Sequence, residues 1–158
     1  MRSLTIHLGR ASASLLLSLA VALTTARADA GSCSFTSVVG VGFGSYNVFS
    51  IAPLDSTGSV TYACTGVASV SIELGKGGAP SFLPRRMLGP SGPLTYNLYT
   101  SAAHTVVWGD GTAGTSTYSL ASPPDRTGVT VTIYGEIRAR QNVHEGVYAD
   151  TITVTMNF

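Results

Sequence analysis

The chain alternates apolar and polar side chains through several short stretches, and most persistently over its final residues, 146–158. Tyr148, Ile152, Val154, Met156 and Phe158 share one parity there, while Thr151, Thr153, Thr155 and Asn157 share the other. A period of two marks a strand with one buried side. The spacing therefore predicts one long closing strand over 146–158 that ends on an aromatic residue. Such an end is read by another chain, is read by a membrane, or is the last strand of an ordinary sandwich.

Upstream, residues 33–39 read as a first strand, followed by a glycine-rich bend over 40–44 and a looser extended piece over 46–51. The alternating stretch 58–64 is expected to form a hairpin with 67–74 across a turn at Thr65-Gly66. Residues 76–84 are a Gly/Pro loop, and 85–88 and 94–100 flank a turn at 89–93. A short piece at 106–108 and a long strand over 128–138 complete the set. No stretch beyond residue 30 shows helical periodicity, and turn signals recur every eight to twelve residues, as in sandwiches and barrels. The expected architecture is a single all-β sandwich.

The first thirty residues change the compartment. Arg2 and Arg10 precede an apolar run over 11–23, and small-residue cleavage sites follow at Ala26-Arg27-Ala28 and Ala28-Asp29-Ala30. This is the form of a cleaved secretory signal, and the apolar run is too short for a membrane anchor. Cleavage after Ala28 or Ala30 leaves a domain over 31–158, about 130 residues, enough for one real core. Export makes the two cysteines legible, because an oxidising compartment favours a Cys33–Cys64 bridge. A metal site would need more ligands than two thiols. Closing that loop stabilises the fold by about 3–4 kcal/mol in the chain-entropy model. With a net charge of +1, the chain has no electrostatic footprint for nucleic acid or anionic lipid.

Candidate chemistry is sparse. Gly109-Asp110-Gly111-Thr112-Ala113-Gly114 satisfies a phosphate-loop spacing, but no helix follows it, and Asp-Gly is a favoured hairpin turn. Residues 115–118 read as strand. His104 and His144 lie in turn-like settings, without the spacing of a metal site or a nucleophile elbow. Asp110, Asp125 and Asp150 are the carboxylates considered as partners for a histidine. Neither a catalytic residue nor a cofactor is expected. Arg85-Arg86 reads as a solvated strand end and Trp108 as a core anchor. Tyr96 and Tyr99 have opposite parity, which places one in the core and the other outside.

A resemblance covers the whole domain in order. Phe43-Gly44-Ser45-Tyr46, Gly58-Ser59-Val60-Thr61-Tyr62-Ala63-Cys64, Arg86-Met87 and Leu94-Thr95-Tyr96-Asn97-Leu98-Tyr99 carry its first half. Trp108-Gly109-Asp110-Gly111, Tyr134-Gly135-Glu136-Ile137, Gln141 and the run from Gly146 to Thr155 carry the rest. In these the chain resembles the spore coat protein U domain family, which includes subunits of archaic chaperone–usher pili. The resemblance implies an immunoglobulin-like β-sandwich missing its last strand, with one disulfide at Cys33 and Cys64. It also implies completion by a strand from a periplasmic chaperone and then from a neighbouring pilus subunit, with an outer-membrane usher as a further partner. It implies surface attachment and biofilm formation, and no enzyme activity.

Ile152, Val154, Met156 and Phe158 are the residues expected to meet the chaperone or donor strand. One departure from the family stands out. Only two to four residues would precede Cys33 after cleavage, too few to span a groove at about 3.3 Å per residue. The subunit is expected to accept a strand without donating one, as a tip-like subunit does. The alternatives are a spore or cell-surface coat protein, a secreted hydrolase, and an outer-membrane barrel. The barrel would need several lipid-facing strands of about ten residues.

Overall fold

A computed structural model describes residues 30–90 and 92–158. The expected signal segment over 1–30 therefore lies, apart from Ala30, outside the described residues. Eight strands form two sheets. The larger has the order β1-β2-β7-β5-β4 and the smaller β6-β3-β8. In the larger sheet these are β1 (Ser32–Val39), β2 (Leu54–Thr65), β4 (Arg85–Gly89), β5 (Gly92–Tyr99) and β7 (Val129–Ile137). In the smaller they are β3 (Ser69–Leu74), β6 (Tyr118–Ala121) and β8 (Val154–Asn157). Every strand pairing in the two sheets is antiparallel.

Alternation decides the faces. Val60, Tyr62 and Cys64 of β2, Ile133 and Ile137 of β7, and Leu94, Tyr96 and Leu98 of β5 turn inward and are buried. They meet Val70, Ile72 and Leu74 of β3 and the fully enclosed Trp108. The indole Nε1 donates to the Ile72 carbonyl at 2.8 Å, so Trp108 is a core anchor with its polar atom satisfied. The outward positions of β2 and β7 are mostly polar, with Asp55, Thr57, Ser59, Thr61, Thr130, Thr132 and Glu136 beside Ala63 and Tyr134. A lipid-facing barrel wall would be apolar there. The Cys33–Cys64 disulfide joins β1 to β2 at directly paired positions.

The structure corrects four expectations. Residues 67–74 do not form a hairpin with 58–64. Both edges of β2 are taken, by β1 and β7, so the chain leaves at Gly66 and β3 joins the other sheet. Tyr96 and Tyr99 do face opposite ways, but both are buried, because the loop after β5 folds back over Tyr99 and sets His104 against its ring, tilted, with centroids 5.0 Å apart. Arg85 is not a solvated strand end: it is fully buried, and only Arg86 is exposed. The closing strand is shorter than its sequence alternation suggests, since only Val154–Asn157 forms a ladder.

Candidate functional site

The second layer of the sandwich has a gap. Among the described residues, β8 pairs with β3 on one edge and has no strand on the other. Beyond that open edge, residues 40–47 run as a strap over the inner face of the larger sheet without joining a ladder. Between strap and β8 lies a cavity of about 980 Å³. Its floor is the inner face of the larger sheet, with Met87, Leu94, Tyr96, Leu98, Ile133 and Ile137. Val41 and Phe43 stand on one wall, and Tyr148, Ile152 and Val154 on the other.

The strap is held there by small residues beneath it. A Cβ built at Gly135 would lie 2.7 Å from Val41 Cγ1 and 2.8 Å from Phe43 Cζ; one at Gly58 would lie 2.5 Å from the Val39 carbonyl oxygen. Ser56 donates its hydroxyl to the Gly42 carbonyl at 2.7 Å. Tyr46 Oη donates to the Arg138 carbonyl at 2.9 Å and accepts from the Gln141 N–H at 2.8 Å. The Phe43 ring meets Tyr96 edge-on at 6.0 Å.

The opposite wall presents unpaired backbone. The Gly75 N–H donates to the Thr153 carbonyl at 2.8 Å, and the register continues through Glu73↔Thr155 and Ser71↔Asn157. In an antiparallel ladder successive residues turn their main-chain groups to opposite sides. Those of Thr153, Thr155 and Asn157 therefore face β3, and those of Ile152, Val154 and Met156 face the gap. An edge with free N–H and C=O groups above an apolar floor is a template for another strand.

Of the four residues singled out on this strand, Ile152 and Val154 line the cavity and Met156 packs against the core. Phe158 lies past the end of β8 and is 60% exposed. Two contributors escaped the sequence reading. The strap looked like a glycine bend, although Val41 and Phe43 alternating with Gly40, Gly42 and Gly44 is itself a period of two. Asp150 shares the inward parity of Ile152, and polarity hid it. Its Oδ2 accepts from Tyr96 Oη at 2.7 Å, and its Oδ1 accepts from the Gly78 and Thr151 N–H groups at 2.9 and 2.8 Å.

The other candidate carboxylates also have local partners. Asp110 accepts from the Thr112 N–H and hydroxyl, which lower its pKa, and Asp125 accepts from the Gly66 N–H. The carboxylates beside His104 are Asp55 and Glu136 instead.

Burial pushes the hydroxyl pKa values of Tyr62, Tyr96 and Tyr99 upward, and for Tyr96 the bond to Asp150 adds to this. Unfolded tyrosines ionise near pH 10. Above that pH the unfolded chain sheds protons that the folded chain keeps, so stability holds below about pH 10 and falls as pH rises through the folded values. Urea midpoints measured from pH 8 to 11 are expected to drop above pH 10, less steeply for Tyr96→Phe. A flat profile would contradict the assignment.

The fold has solved relatives. Aligned over 82% of this chain and 40% of the other, it matches a chain of the CsuC–CsuE chaperone–tip adhesion subunit pre-assembly complex, from archaic chaperone–usher Csu pili of Acinetobacter baumannii, with a TM-score of 0.52. The two are 21% identical, which speaks to architecture. This chain thus spans under half the length of that structural relative. In sequence it is 33% identical over 146 residues to Protein U of Myxococcus xanthus, covering 81% of this chain and 78% of that protein. The model of the Spore Coat Protein U domain matches residues 18–155. With that match running from before β1 into β8, the chain belongs to the Spore Coat Protein U domain family.

Proposed function

We propose that this protein is a structural, adhesive subunit of a chaperone–usher pilus, exported through the periplasm and completed by a strand from another polypeptide. The observation that carries the reading is the gap itself: an apolar floor, an unpaired β8 edge and a strap that forms the opposite wall. The likeness to a chain of a chaperone–subunit complex supports it. A periplasmic chaperone would occupy the gap first and a neighbouring subunit later, with an usher as the assembly platform. Ile152, Val154 and Met156 would supply backbone pairing. Phe158 would extend the edge offered to the chaperone.

Two measurements test this. Deleting residues 155–158 is expected to abolish co-purification of a chaperone from the periplasm; an unchanged yield of complex would count against the reading. Fusing a twelve-residue alternating apolar strand behind Phe158 through a Gly/Ser linker is expected to raise the Tm by roughly 10 °C or more. The gain comes from aliphatic side chains leaving water for the apolar floor together with main-chain hydrogen bonds to the unpaired β8 edge.

A distal place in the fibre follows if the signal is cleaved after Ala28 or Ala30, since Ser32 is already paired with Thr65 in β1. The intact mass of the exported protein fixes the cleavage point. Immunogold labelling confined to fibre ends would support the tip-like role, and labelling along the shafts would refute it. The family's description and the likeness to Protein U favour a second reading, a coat protein assembled without an usher. Chaperone and usher genes beside this one would decide for the pilus.

A further inference from the structure

We infer that Asp55, His104 and Glu136 form a divalent-cation site of zinc type on the outer face of the larger sheet, remote from the gap and independent of the strand-accepting reading. Asp55 of β2 and Glu136 of β7 are direct register partners. Their parity is opposite to that of Val60 and Ile133, so both side chains leave the sheet on its outer face. Two carboxylates set directly across a strand pair repel one another. A cation held between them would relieve that repulsion.

The third donor comes from the loop that folds back over this face. The Thr100 N–H donates to the Val106 carbonyl and the His104 N–H to the Ser101 carbonyl. This closes the loop and lays the imidazole on Tyr99. Its Nδ1 stands 3.5 Å from Glu136 Oε2 and 4.0 Å from Asp55 Oδ1. All three donor atoms lie within 4.8 Å of one another. A tetrahedral zinc ion bound at 2.0–2.1 Å holds its ligand atoms about 3.3–3.4 Å apart. The histidine–glutamate pair already has nearly that spacing. Asp55 is the most exposed of the three and closes the remainder by a side-chain rotation.

One imidazole nitrogen and two carboxylate oxygens form a borderline donor set that suits Zn²⁺ and leaves a fourth position for water. The bound ion would pin the loop after β5 onto β2 and β7. Spacing along the chain cannot reveal this set, because the ligands lie 49 and 32 residues apart (from 55 to 104 and from 104 to 136).

The test is calorimetric titration of the exported protein, stripped with chelator, with ZnCl₂ at pH 7.5. One ion per chain is expected, with a rise in Tm. Glu136→Gln and His104→Asn are each expected to weaken binding at least tenfold and remove the thermal shift, whereas His144→Asn leaves both unchanged. Should either variant fail to fold, Asp55→Asn at the exposed ligand is expected to give the same loss. Co²⁺ substitution should give the visible absorption of a tetrahedral site. Absence of binding would overturn the proposal, as would binding that survives these variants or is lost with His144→Asn.

Discussion

Arg85→Met is expected to cost about 3–5 kcal/mol, a large share of the stability of a domain this size. The guanidinium is fully buried. Its Nη2 donates to the carbonyls of Trp108 and Leu74 at 2.6 and 3.1 Å, its Nε to that of Gly75 at 2.9 Å, and its Nη1 to Asn97 Oδ1 at 3.2 Å. The Phe82 ring lies against it at 5.2 Å. Arg85 belongs to β4 in the larger sheet, while Leu74 ends β3 in the smaller and Gly75 follows it. One side chain thus ties the two layers together and satisfies carbonyls that no strand reaches. Burial lowers its pKa, yet arginine remains charged in proteins.

Methionine fills most of the same volume, so the loss reports orphaned carbonyls, each worth about 1–3 kcal/mol, more than a cavity. Arg85→Lys keeps the charge but not the planar fork and is expected to recover only part of the loss. Arg86→Met, one residue on and exposed, should change stability by less than about 0.5 kcal/mol. Urea denaturation with an unchanged m-value measures all three. A loss below 1 kcal/mol for Arg85→Met would show that water or a shifted backbone replaces the fork.

These adjacent arginines show where the sequence was readable and where it was not. Alternation marked 58–64 as a strand and gave Ile152, Val154 and Met156 a common face, because burial of one face imposes a period of two. The disulfide followed from two cysteines and an expected secretory signal. Parity also assigns Arg85 and Arg86 to opposite faces, but polarity argued against burying either, and only the converging carbonyls of Leu74, Gly75 and Trp108 make one tolerable inside. Asp150 was obscured in the same way, its inward parity overruled by its charge until Tyr96 Oη and the Gly78 N–H supplied partners.

Partner choice between strands was less legible. The short turn at Thr65-Gly66 suggests a hairpin, and nothing local shows that both edges of β2 are already occupied by β1 and β7. The gap was visible from one side only. Its β8 wall follows from alternation, whereas its strap wall depends on two glycines that are far from it in sequence.

Gly58→Val is expected to destabilise the protein by roughly 3 kcal/mol or more, and Gly135→Val by about 1–3 kcal/mol, by unseating the strap. The order follows from what each new side chain would strike. At Gly58 the obstacle is backbone, the Val39 carbonyl at 2.5 Å and Gly40 C at 3.0 Å, and it can yield only if the chain between β1 and the strap is rerouted. At Gly135 the obstacles are the side chains of Val41 and Phe43, which can rotate at the expense of their packing on Tyr96. Both substitutions leave β2 and β7 paired, so circular dichroism should retain the β signature while amide exchange accelerates over residues 39–46. If the strap is the second wall of a strand-accepting gap, each variant should also lose most of the Tm gain from a strand fused behind Phe158, since the added strand would find β8 but no opposite wall. A variant with native stability would show that the strap is not seated on these glycines. A variant that is destabilised yet keeps the full gain would show that β8 alone recognises the incoming strand.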